Sequence, residues 1–183
     1  MTGVAMRARF FFMVFLGIVS CNSQAFTAEG AAAPKFSDYP SPIYNGNIRI
    51  PSYYVKSGDT WRDDMGKEVS PPRVNFAGKY YIGLHSCGTE CRYYTLSDLA
   101  TGKDSKALDM FSSDGEKPQK TSDGRNYVTE LLSHPDSRLV IAQYHIEQIP
   151  GKPGECRERM FVLSDDGEKV APVTKTLDGC QPR

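Results

Sequence analysis

The chain has 183 residues, 39% hydrophobic and 24% charged, with 22 Lys and Arg balancing 22 Asp and Glu. That length fits one modest globular domain. The even charge, with a pI near 6.8, supplies no basic footprint for a phosphate backbone, so nucleic acid is not an expected partner. There is no run of about 18 or more apolar residues of the kind that spans a bilayer, and 10 Tyr with 9 Phe make the chain too aromatic for a disordered tail.

At the N-terminus, Arg7 and Arg9 precede the apolar run F-F-F-M-V-F-L-G-I-V at 10–19. This is too short to cross a membrane but matches the hydrophobic segment of an export signal. Two processing routes are open. Ile18-Val19-Ser20-Cys21 resembles the lipobox of bacterial lipoproteins, in which the cysteine is diacylated and becomes the mature N-terminus, whereas Ser23-Gln24-Ala25 offers small residues for ordinary signal-peptidase cleavage. Residues 1–21 are therefore read as an export signal, with Cys21 as the lipidation candidate. The expected location is the bacterial cell envelope, as an outer-membrane lipoprotein (Asn22 rather than Asp follows the Cys) or a soluble periplasmic protein. Membrane contact is expected only through a lipid anchor. Loss of Arg7 and Arg9 takes the 22 basic residues to 20 against 22 acidic ones, a formal charge of −2.

Either cleavage leaves Cys87, Cys91, Cys156 and Cys180, an even set that reads as two disulfides in an exported chain. Of the three connectivities, Cys87–Cys91 with Cys156–Cys180 is favoured because each pair closes a loop within its own half. A zinc site of four thiolates is the competing reading, and it lacks the paired C-x2-C knuckles of structural zinc sites.

Residues 22–42 are rich in Ala, Ser and Pro and read as a linker, leaving 43–183 as one disulfide-bonded β domain. I-R-I at 48–50 and Y-Y-V at 53–55 are short strand candidates, and the polar stretch 57–73 reads as a loop with one helical turn near Trp61 to Met65. Lys79 to His85 and Arg92 to Asp98 are aromatic and β-branched runs flanking a Cys-bounded turn, which predicts a hairpin. A third strand is expected around Ala107 to Phe111, then a long loop over 112–125. Further strands are predicted over Tyr127 to Leu132, Arg138 to Ile149, Cys156 to Asp165 and Val170 to Leu177. C-R-Y-Y-T-L-S-D at 91–98 and C-R-E-R-M-F-V-L-S-D at 156–165 place Leu96 and Leu163 67 residues apart, each before a Gly turn with a Lys close by. The expected fold is all-β: antiparallel meander sheets in two similar units, forming an open propeller-like or sandwich domain.

Val74-Asn75-Phe76-Ala77-Gly78-Lys79-Tyr80, then Cys87-Gly88-Thr89-Glu90-Cys91, then Asp98 to Lys103 with its Thr101-Gly102-Lys103 turn, resemble a family of uncharacterised bacterial exported proteins. Its members carry N-F-A-G-x-Y, C-G-x-x-C and D-x-x-T-G-K in that order. The likeness extends upstream to Y-P-S-P-I-Y-N-G at 39–46 and implies export, with no activity attached. Where members carry a Trp shortly before the first Cys, this chain has Leu84-His85-Ser86. The motif residues have architectural readings of their own: Gly78 for a close approach at the strand start, Gly88 for a positive φ, Asn75 for a side-chain bond to backbone.

Candidate chemistry is sparse. His85, Cys87 and Glu90 suggest a Cys/His nucleophile, which a disulfide would forbid. His85 and His145 fall at similar points of the two units and would share a metal with Glu90 or Glu147 only if both faced one surface. No G-x-S-x-G, H-E-x-x-H, P-loop or dinucleotide fingerprint is present, so no catalytic residue, cofactor or metal is assigned. Tyr93 and Tyr94, with His85 and His145, are the binding candidates, because tyrosine offers interface area at low entropic cost. The function expected is non-enzymatic binding of an envelope or secreted protein, as by an inhibitor or immunity factor. The alternative is an envelope hydrolase or metal-dependent enzyme with a site near His85 and His145.

Overall fold

A computed structural model describes residues 32–88, 91–113 and 118–181, so the export signal, Cys21 and Glu90 lie outside the described residues. The strands are β1 (Val55–Ser57), β2 (Thr60–Arg62), β3 (Glu68–Val69), β4 (Tyr80–Gly88), β5 (Cys91–Asp98), β6 (Lys103–Ser105), β7 (Tyr127–Ser133), β8 (Leu139–Ile146), β9 (Glu155–Leu163), β10 (Val170–Pro172) and β11 (Leu177–Asp178). They form three antiparallel sheets, β1-β2-β3, β4-β5-β6 and β10-β9-β8-β7, with β11 also paired to β9. The only helical elements among the described residues are 3-10 turns at Phe36–Asp38 and Asp109–Phe111. Among the described residues the fold is thus all-β and sandwich-like, without a closed barrel.

Strand alternation explains how the layers stack. On β4 and β5, Tyr80, Ile82, Tyr94 and Leu96 point into a core completed by Val140, Ala142, Phe161 and Leu163 of β8 and β9. The opposite face of β4 carries Tyr81, which packs with Tyr54, Val69 and Leu99 under the small first sheet. The far face of the large sheet buries Leu139, Ile141 and Met160 against Phe36 and Tyr39. The 67-residue self-similarity falls on β5 and β9, and Leu96 and Leu163 enter the same core.

Several elements differ from expectation. Residues 57–73 hold three short strands and no α-helical turn, since Trp61 pairs with both Lys56 and Val69. Residues 48–50 form no strand. The third strand of the first meander is β6, paired to Leu96–Asp98 directly after the Gly102 turn. Ala107, Leu108 and Phe111 instead plug the core from a single 3-10 turn that leaves Met110 57% exposed. Their i, i+1, i+4 spacing suits a turn and not a strand of period two. The expected linker is packed from Lys35 onward: Pro40 bridges Ser137, Ser41 N–H donates to the Asp136 carbonyl at 2.7 Å, and Ser137 Oγ donates to the Phe36 carbonyl at 2.7 Å.

The N-F-A-G and T-G-K motifs serve this architecture. Asn75 clamps Ile82 at both ends, its Oδ1 accepting the Ile82 N–H at 2.7 Å and its Nδ2 donating to the Ile82 carbonyl at 3.0 Å. Gly78 has φ +78°, and a Cβ there would lie 2.1 Å from the Pro42 carbonyl oxygen, so no side chain fits. Asp98 Oδ1 accepts the Ala100 N–H at 2.8 Å while its Oδ2 pairs with Lys79 Nζ at 2.8 Å. The motif carboxylate therefore shapes its own turn.

The disulfides are Cys87–Cys91 and Cys156–Cys180, with Cα atoms 5.1 and 5.4 Å apart, which leaves none of these four thiolates for zinc. Their sequence separations of 4 and 24 residues correspond in a chain-entropy treatment to about 2 and about 3.5 kcal/mol. Replacing Cys156 and Cys180 together by Ala is expected to lower the unfolding free energy from urea titration by more than replacing Cys87 and Cys91. Equal losses would mean that loop length does not set how much each disulfide contributes.

Candidate functional site

The highest concentration of chemically capable side chains lies under the first sheet, on the outward face of the β4–β5 hairpin. Cross-strand register sets His85 opposite Tyr93 and Gly83 opposite Thr95. The His85 and Tyr93 rings stack with centroids 4.6 Å apart and planes 9° apart, and Tyr54 stacks near His85 at 5.6 Å. His85 Nδ1 lies 2.9 Å from Asp63 Oδ2. Its Nε2 lies 2.9 Å from Tyr54 Oη and 3.1 Å from Thr95 Oγ1, and those two hydroxyls are 2.8 Å apart. Gly83 is what makes room: a Cβ there would sit 2.2 Å from Tyr54 Oη and 2.7 Å from Thr95 Oγ1.

Asp63 sits in the β2–β3 turn and organises it. Its Oδ1 accepts the Lys67 N–H at 2.8 Å and the Met65 N–H at 3.1 Å, leaving Oδ2 for the imidazole. Desolvation pushes the Asp63 carboxyl up, but the His85 hydrogen bond, the Lys67 and Met65 amides and the imidazole charge together hold it below the usual carboxylate range. Burial drives the neighbouring phenols the other way: Tyr54 is raised far above an ordinary tyrosine, and Tyr81, whose hydroxyl donates to the Ser70 carbonyl at 2.8 Å, is pushed up to about 12. Both phenols remain hydrogen-bond donors at neutral pH. Nδ1 thus faces the Asp63 carboxylate, and Nε2 faces the Tyr54 and Thr95 hydroxyls.

Carboxylate, imidazole and hydroxyl follow one another here in the order used by acyl-transfer enzymes. Access is missing. His85 is 1% exposed and both ring nitrogens are engaged, whereas a general base must reach the proton it removes. The arrangement acts as a polar tie joining the first sheet to the hairpin, with its buried groups mutually satisfied.

The remaining sequence candidates are scattered. Cys87 is consumed by its disulfide. His145 lies on β8, in the other large sheet, exposed, with Nε2 3.2 Å from Glu130 Oε2 and Nδ1 3.7 Å from Cys156 Sγ. His85 and His145 therefore do not face one surface, and among the described residues no three His, Cys, Asp or Glu side chains are grouped to hold a metal. Tyr94 is a core residue, 6% exposed, its hydroxyl donated to the Thr129 carbonyl at 2.8 Å. Tyr93 is half-buried under His85's ring. Sequence reading missed Asp63, Tyr54, Gly83 and Thr95. The available signal was Gly83, a glycine inside an aromatic strand, which marks a close approach by something else.

Among the described residues, two adjoining clefts open at one end of the large sheet, while wider ones lie along the 148–153 loop and beside Phe36 and Gln143. One cleft of about 290 Å3 is lined by residues including Asn126, Tyr127, His145 and Glu147, and an adjoining one of about 280 Å3 by Tyr127, Tyr144, Arg157 and Arg159. The loops around them are pinned by buried Arg125, which reaches Glu155 Oε1 at 2.6 Å, Asp123 Oδ2 at 3.1 Å and the Pro153 carbonyl at 3.0 Å. Lys152 also pairs with Asp123 at 2.8 Å. Compared with protein-family models, curated proteins and solved structures, the chain matches none of them.

The depressed Asp63 carboxyl gives a signed pH prediction. Its stabilisation is complete above the unfolded value near 3.9 and is lost as pH falls through the lower folded value. D63N is expected to be less stable than wild type at pH 7, and its urea midpoint to fall less between about pH 4.5 and 2. Some acid dependence should persist, because Glu155 and Asp166 are also held low. Parallel profiles for the two proteins would show that Asp63 carries no such linkage.

Proposed function

We propose that this chain is a non-enzymatic protein of the bacterial cell envelope that binds another protein, as an inhibitor or immunity factor does. The observation carrying this reading is the contrast between its two polar regions. The acid–base group Asp63–His85–Thr95 is sealed and internally satisfied, while tyrosine and arginine side chains line the open clefts of the rigid large sheet. Loops on a rigid scaffold are where recognition residues collect, and the loops over 118–126 and 148–155 are held in place by Arg125 and Lys152. Export is supported by Arg7, Arg9, the apolar run at 10–19 and two disulfides suited to an oxidising compartment. The likeness to an exported family points the same way, and among the described residues no helix is long and apolar enough to cross a membrane.

Two measurements test this. Intact mass of the protein purified from membranes is expected to show a chain beginning at Cys21 with added acyl mass. A chain beginning at Phe26 without acyl mass would replace the lipoprotein with a soluble exported form, and retention of residues 1–20 would remove export. The tagged mature protein is expected to form a stoichiometric complex with one envelope or secreted protein and to turn over no wall or ester substrate. Hydrolysis that disappears in T95V, with folding intact, would transfer the assignment to an enzyme built on the buried relay.

A further inference from the structure

The core-facing side of the large sheet changes character along its strands. β8 presents Val140 and Ala142 to the core and then Tyr144 and Ile146; antiparallel to it, β9 presents Leu163 and Phe161 and then Arg159 and Arg157. An apolar stripe thus becomes an aromatic and cationic one, and there, with Tyr127 of β7 and Lys120, it lines the 280 Å3 cleft.

Charge within the cleft is only partly matched. Arg157 has carboxylates nearby, Glu155 Oε2 at 2.8 Å and Asp178 Oδ1 at 3.7 Å, although the latter is beyond hydrogen-bond range and Arg157 Nε is buried without a hydrogen-bond partner among the described residues. Arg159 differs. Its Nε donates to the Thr174 carbonyl at 3.1 Å, and its guanidinium lies 5.5 Å from the Phe161 ring centroid, which tethers it on one side. Its two terminal nitrogens have no hydrogen-bond or ion-pair partner among the described residues. A guanidinium tethered through Nε with its two terminal nitrogens free can meet a carboxylate, which accepts two parallel N–H bonds. Beside it, Tyr127 and Tyr144 meet edge to face at 5.5 Å and 83°, a firm wall for an apolar or aromatic group.

We propose that this cleft receives an acidic side chain of the partner protein, its carboxylate on Arg159 and its apolar neighbour against Tyr127 and Tyr144. The proposal rests on the protein-binding reading above and names its surface. One carboxylate matches the unpaired charge of Arg159, and exposed Lys120 adds attraction at the rim.

The test titrates the full mature protein, followed by NMR, with acetyl-Glu-Phe-amide, acetyl-Gln-Phe-amide and inorganic phosphate. The Glu peptide is expected to perturb signals of Tyr127, Tyr144, Arg157 and Arg159, and the Gln peptide to bind at least about 10-fold more weakly, the factor that corresponds to about 1.4 kcal/mol. R159Q should remove that preference. R159K, which keeps charge and stem over Phe161 but lacks the fork, should weaken it, and unchanged urea midpoints would certify both folds. Equal affinity for the Glu and Gln peptides, perturbation confined to other surfaces, or phosphate binding as well as the Glu peptide would overturn the proposal. A protein complex that survives R159Q, with peptides that do not discriminate, would refute the cleft and leave partner binding intact. Peptide discrimination without any protein partner would uphold carboxylate recognition and remove the partner reading.

Discussion

The β4–β5 hairpin is buried on both faces, and most of the structure follows from that constraint. One face is apolar, with Tyr80, Ile82, Tyr94 and Leu96, and needs a second sheet to remove it from water; β8 and β9 supply Val140, Ala142, Phe161 and Leu163. The other face carries His85, Thr95 and Ser97, none of which can be buried without hydrogen bonds. The small first sheet answers that need. Its turn brings Asp63 to His85 Nδ1, and the chain before it brings Tyr54 to Nε2 and Tyr53 to Ser97 Oγ at 3.0 Å. Strands of two and three residues would not persist alone. Here they are held by a buried polar network below and by Tyr81, Val69 and Leu99 beside it.

The same logic separates the two polar regions by their access to solvent. In the hairpin network every strong donor meets an acceptor in a site closed to solvent, so its chemistry is spent on specifying one arrangement of the layers. At the end of the large sheet, Arg125 ties the flanking loops through Asp123, Glu155 and the Pro153 carbonyl. That pinning sets the surroundings of Tyr127, Tyr144, Arg157 and Arg159, which line the open cleft that the proposed recognition would use.

Much of the fold was legible because alternation and turn chemistry are local. The hairpin of β4 and β5, strands β7 to β9 and both disulfides were expected from residue patterns. The roles of Asn75 and Gly78 also followed from turn chemistry, whereas that of Asp98 did not. The misreadings have physical causes too. Ala107 to Phe111 looked like a strand because it is apolar, but its buried positions follow a helical turn. Residues 57–73 looked like a loop because their short strands are polar, and Val69 alone among them is buried and apolar. The packing of Phe36 and Tyr39 on β8 and β9 spans about a hundred positions, as in the bond from Ser137 to Phe36, and has no local signature.

The candidate site shows the division most clearly. By itself, the sequence determined that four cysteines form an even set fit for two disulfides, that aromatic strands alternate, and that an Arg-flanked apolar run precedes the domain. These are properties of neighbours along the chain. Only the tertiary structure decided that His85 is sealed by Asp63 and Tyr54, from 22 and 31 positions away, that Tyr94 belongs to the core, and that His145 faces elsewhere. Which groups meet, and which stay open to solvent, depends on how the sheets stack, and stacking is set by the sum of buried contacts between segments distant in the chain and not by any one of them.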